Sequence, residues 1–83
     1  MTKAESTQVI AEAARDEYQG IAPDLISSLK AVRQKLTLAG AVDTVCDRLH
    51  DKAMQNTTFR AAWDILSYKE HISAVRVALR GYF

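Results

Sequence analysis

Cys46 and His50 stand one helical turn apart and supply the one thiol and imidazole close enough in sequence for a nucleophile and its base. Nucleophilic catalysis needs both side chains to converge on a single cleft, so that the imidazole can take the thiol proton. At helical spacing, Cys46 instead shares an apolar stripe with Val42, Val45, Leu49 and Ala53, while His50 is rotated toward an acidic flank. Cys46 is therefore expected to be a buried structural cysteine.

The acidic flank is Asp43, Asp47 and Asp51, at i, i+4 and i+8. Asp47, His50 and Asp51 have the i, i+3, i+4 spacing by which one helix can offer several ligands to a metal, and Asp43 would add a further oxygen. A solvated helix face carries the same pattern, and Arg48 and Lys52 on the opposite flank favour that reading. The expectation is a solvated ridge, with no metal and no cofactor. His71, a lone imidazole, is expected at the surface or at a boundary.

Other chemistries find no support in the spacing. Gly20, Gly40 and Gly81 form no phosphate-cradling loop, and neither a His-Glu-x-x-His zinc motif nor a calcium loop is present. Arg15, Arg33, Lys35, Arg48 and Arg76 show no pattern that would gather them around a dianionic substrate. The chain reads as non-enzymatic, with a small all-helical enzyme as a minor alternative.

The 83 residues that must position these groups carry 11 Lys+Arg against 10 Asp+Glu, a net charge of +1. Residues 1–83 thus read as a single small domain, without the charge excess of a polyanion binder. One cysteine cannot form an internal disulfide, so apolar packing must hold the fold. No apolar run approaches the roughly 18–20 residues of a membrane span. The opening segment carries Glu5, Glu12, Arg15, Asp16 and Glu17, unlike a secretory signal. A soluble, cytoplasmic protein with no membrane partner is expected. Asn56-Thr57-Thr58 matches a glycosylation sequon but reads better here as a helix start.

Each glycine follows a helix-forming segment, which predicts left-handed caps at Gly20, Gly40 and Gly81. Thr2 and Glu5 have capping-box spacing, so a first helix is predicted from Lys3 to about Gln19. With only Ile10, Ala14 and Tyr18 on its apolar face, the 1–20 helix should pack weakly, leaving the core to 21–83. A second helix beginning near Pro23 places Leu25, Leu29, Val32 and Leu36 in a heptad-like stripe suited to burial. The helix of Cys46 follows, ending near Gln55-Asn56, and a final segment runs from Asn56 or Thr57 to Arg80.

That final segment carries two apolar faces. Phe59, Ala62, Trp63 and Leu66 fall on one side, and Ile65, Tyr68, Ile72, Val75 and Leu79 fall nearly opposite. Phe59 and Trp63 are spaced to touch and are expected in the core. Either the helix breaks at Ser67, where Ser67-Tyr68-Lys69-Glu70 again has capping-box spacing, or it continues and leaves one face for a partner. The absence of glycine and proline around Ser67 favours continuity. The terminal Gly81-Tyr82-Phe83 either folds back as a plug or presents aromatic anchors.

The predicted fold is therefore all-α, a small bundle of three to four helices with a long C-terminal helix. The predicted function is a protein-interaction module, a regulator, adaptor or inhibitor that binds another protein as a single chain or as a homodimer. Its interface is expected at Tyr68, Ile72, Val75 and Leu79, with Tyr82 and Phe83 as secondary contacts. The alternative is a DNA-binding regulator, since Leu36 to Leu49 has the rhythm of a degenerate helix-turn-helix with its turn at Gly40. Nucleic acid is disfavoured as a partner, because the would-be recognition helix exposes Asp43, Asp47 and Asp51 to the phosphates.

Overall fold

The computed structural model describes residues 1–83 and is all-helical: α1 (Lys3–Ala31), α2 (Leu38–Gln55), α3 (Thr57–Ile65), α4 (Tyr68–Leu79) and a closing 3₁₀ turn, Arg80–Tyr82. α1 opens on the anticipated capping box. The Glu5 amide donates to Thr2 Oγ1 and the Thr2 amide donates to Glu5 Oε1, each at 3.2 Å.

α1 does not stop at Gly20 but runs through Gly20 and Pro23 to Ala31. Gln19, Gly20 and Pro23 are all exposed, so water can satisfy the carbonyl that Pro23 leaves without an amide partner. No glycine adopts a positive φ, which overturns the three predicted glycine caps; Arg33, at φ 57°, takes the left-handed position instead. Its amide donates to the Lys30 carbonyl at 3.0 Å and the Gln34 amide to the Leu29 carbonyl at 2.8 Å, the paired bonds of a Schellman cap.

At a rise of about 1.5 Å per residue, the 29 residues of α1 span about 43 Å. The molecule measures 42 × 24 × 18 Å, so α1 forms its full length. α2 runs back against α1, with Arg48 Nε 3.9 Å from Glu17 Oε1. α4 runs parallel to the first half of α1, tied by Lys3 to Glu70 at one end and by Gln19 to Tyr82 at the other. α3 packs on both α1 and α2.

This arrangement reverses the expected balance along α1. Ile10 and Ala14 are completely buried and Tyr18 nearly so, placing the first half of the helix in the core with α2, α3 and α4. Beyond Gln19, α4 has ended. Leu25, Leu29 and Leu36 are only half-buried, lining a shallow groove with Gly40 and Thr44, and Val32 is 62% exposed. The stripe expected to be buried is instead an overhang.

α2 is capped by Thr37, whose Oγ1 accepts from the Gly40 amide at 3.1 Å. Gly40 therefore sits inside the first turn of α2, and the connection between helices lies at 32–37. The helix-turn-helix rhythm has no turn where it needs one. The buried face of α2 does contain Val42, Val45, Cys46, Leu49 and Ala53, as its spacing predicts, together with Ala41. Asn56 caps α3, its Oδ1 accepting from the Phe59 amide at 2.9 Å, in keeping with a helix start.

The long C-terminal helix is not formed. Leu66 (φ −99°, ψ 146°) and Ser67 (φ −75°, ψ 167°) are extended, and Ser67 and Glu70 close the second capping box. The break turns the opposite apolar face inward, so Phe59, Trp63 and Leu66 share one core with Val75 and Leu79. Burying both faces stabilises each by about 1.5–3 kcal/mol per large side chain, more than a few uninterrupted helical bonds supply. No helix is long and apolar enough to cross a membrane.

Candidate functional site

The break also opens a cleft of about 630 Å³ between α2, α3 and α4. α2 supplies one wall. Asp43 and Asp47 project from it one turn apart, both exposed, with Cys46 buried between them and His50 one turn further. α3 contributes Trp63, and the opening turns of α4 contribute Tyr68, His71 and Ile72.

Cys46 is a free, buried thiol, as its place on the apolar stripe implies. Burial first, and then the negative charge of Asp43 and Asp47, pushes its pKa from 9.0 up to about 11. A thiol held protonated in this way is a poor nucleophile. The His50 imidazole, 59% exposed, lies 3.9 Å from Asp51 Oδ1 and sets its ring edge toward Trp63 at 6.5 Å between centroids. No group of three or more histidines, cysteines or acids converges to hold a metal ion. Asp51 does not line the cleft.

Trp63 and His71 form the base of the cleft. Both are more than nine-tenths buried, and their rings stack face to face with centroids 3.6 Å apart and planes 14° from parallel. The expectation of a surface or boundary position for His71 is corrected. Its Nε2 lies 2.7 Å from the Trp63 carbonyl oxygen. A carbonyl can only accept, so Nε2 carries a proton and donates it to Trp63. Nδ1 has no hydrogen-bond partner in the chain. His71 as a residue lines the cleft.

The predicted interface residues divide into three sets. Tyr68, 75% exposed, and half-buried Ile72 line the cleft. Val75 and Leu79 are fully buried and leave the interface, because the break at Ser67 turns them into the core. Tyr82 and Phe83 fold back on Tyr18, with centroids 4.7 and 5.9 Å away, and Gln19 Nε2 donates to the Tyr82 hydroxyl at 2.8 Å. They form a half-exposed plug at the far end of α4.

Charge in the cleft is one-sided. The ion pairs of the molecule are Lys3–Glu70, Arg48–Glu17 and Arg60–Asp64, and the one acid beside His50 is Asp51, so Asp43 and Asp47 are unpaired. No lysine or arginine lines the cleft. Sequence spacing located the acids, the thiol and His50. It carried no signal for the contribution of His71, which depends on α4 turning back across the end of α3.

Fold and site together define a small four-helix protein with an acidic, aromatic-walled cleft. The chain matches no known protein family, no curated protein and no solved structure.

Proposed function

We propose that this chain is a non-enzymatic protein-interaction module, a small regulator, adaptor or inhibitor, that docks its partner at the cleft between α2 and α4. The observation that carries the reading is Tyr68, a large aromatic residue 75% exposed at a cleft it lines together with half-buried Ile72. Exposed aromatics beside a concave, partly apolar surface are the usual anchors of protein interfaces. The raised pKa of Cys46 argues against nucleophilic catalysis at the same place.

Affinity capture with the wild type and single variants tests the reading. A discrete protein should be retained by the wild type and by Val77→Ser, an exposed position on α4, and lost with Tyr68→Ala. Retention by Tyr68→Ala at wild-type yield contradicts the proposal.

A second reading concerns the overhang of α1, where Ile26 and Val32 are 39% and 62% exposed beside half-buried Leu25 and Leu29. An apolar helix face of this kind suits pairing with a second copy. Light scattering across a concentration series should then give a dimer mass that Val32→Asp returns to 9.2 kDa.

A further inference from the structure

We infer that the cleft between α2 and α4 receives a lysine or arginine side chain from a basic segment of the partner protein. This rests on the reading of the cleft as a docking surface and adds the chemistry of what it takes. Three observations converge on it.

The first is unbalanced charge. Asp43 and Asp47 flank the cleft one turn apart, neither is ion-paired, and no lysine or arginine lines the site. Repulsion between them is relieved by a cation held between the two. Their field also reaches the cleft wall, since both carboxylates raise the pKa of Cys46.

The second is the direction of the hydrogen-bonding groups. The carboxylates of Asp43 and Asp47 only accept, and buried His71 beside them has no hydrogen-bond partner at Nδ1. The Trp63 carbonyl already receives Nε2–H of His71 and the Leu66 amide. Tyr68, Trp63 and His50 can each donate as well, but the two carboxylates, the charged groups of the cleft wall, are best met by a group that brings several donors and a positive charge, as an ammonium or guanidinium does.

The third is the shape and polarity of the rest of the cleft. Ile72 and the Tyr68 ring offer apolar surface beside the acids, suited to the methylene stem of a long basic side chain, and the tyrosine face suits a cation. At about 630 Å³, the space exceeds one such side chain and admits neighbouring residues of a segment.

The probe is a blocked tri-arginine peptide, with its tri-citrulline counterpart as the neutral control and spermidine as a free cation. Trp63 is the only tryptophan, so its fluorescence and indole proton report on the cleft directly. The arginine peptide should shift the amide signals of Cys46, His50 and His71 saturably and weaken with salt, while tri-citrulline produces no saturation. Asp43→Asn combined with Asp47→Asn should raise the dissociation constant about tenfold or more without changing the melting temperature, since both side chains are exposed. Equal binding by the double variant, or shifts spread over every acidic surface, overturns the inference. Tighter binding of spermidine than of the peptide overturns its assignment to a protein segment. If the arginine peptide fails while partner capture still depends on Tyr68, the inference falls and the docking surface stands; if capture is independent of Tyr68, the docking surface falls as well.

Discussion

The imidazole of His71 lies flat on the indole of Trp63 at 3.6 Å and donates from Nε2 to that residue's own carbonyl at 2.7 Å. The two residues sit on either side of the Leu66–Ser67 break. This contact ties α4 to the last turn of α3, at a carbonyl that also accepts the Leu66 amide at 3.2 Å.

His71→Phe keeps an aromatic ring against Trp63 and loses only the hydrogen bond. It should lower the unfolding free energy by about 1 kcal/mol, whereas His71→Ala, which also opens a void, should cost about 2–4 kcal/mol. Urea denaturation followed by circular dichroism separates the two. Equal small losses would show that the stack contributes little.

Ser67 holds the start of α4. Ser67→Ala removes the acceptor for the Glu70 amide at 3.3 Å and should cost about 1 kcal/mol. The Ser67 backbone amide, then the Ser67 hydroxyl and Lys3, hold the Glu70 carboxyl below its ordinary 4.5. With the folded value lower than the unfolded one, this contribution is present above pH 4.5 and fades as pH falls through the folded value. Glu5, bonded to Thr2 at the start of α1, is lowered in the same way and has the same sign. Melting temperatures from pH 6 down to pH 3 should therefore fall less steeply for Glu70→Gln than for the wild type.

Much of this fold was legible in local residue chemistry. Thr2, Ser67 and Asn56 all cap helices, and the α2 stripe from Val42 to Ala53 is buried as its spacing predicts. Where the chain turns was less legible. Glycine was expected to end helices at Gly20, Gly40 and Gly81, but Gly20 and Gly40 are helical, Gly81 lies in the closing 3₁₀ turn, and an arginine makes the left-handed cap. The break at Ser67 was available in its capping box, yet local propensity favoured continuity. Tertiary burial of Val75 and Leu79 decided the outcome, and that gain is visible only once α1 and α2 are in place. For the same reason, sequence spacing brought Asp43, Cys46, Asp47 and His50 together on α2 but could not show that Tyr68, His71 and Ile72 face them.

Cys46 should resist alkylation. At pH 8 its raised pKa, about 11, and its burial keep it as the thiol, so iodoacetamide should label it only as fast as the chain opens. A folded value above the unfolded one means that folding suppresses ionisation. That contribution is complete below about pH 9 and is lost as pH rises through about 11. Asp43→Asn with Asp47→Asn should bring the thiol's titration lower, while labelling at pH 8 at the rate of a free thiol in the wild type would contradict this environment.

Ser6 is completely buried in α1 with no partner for its hydroxyl. Ser6→Ala removes the unsatisfied group and leaves almost no void. It should raise the unfolding free energy by about 1 kcal/mol and the melting temperature by several degrees in thermal unfolding.

Docking of a partner protein at the cleft between α2 and α4 can be read out by site-specific photo-crosslinking. A benzophenone amino acid in place of Tyr68 should form one discrete heteromeric adduct in cells. The same group in place of exposed Ser27 on the α1 overhang should form none with that partner. An adduct that forms at position 27 but not at position 68 would place the partner on α1 and exclude docking at the cleft.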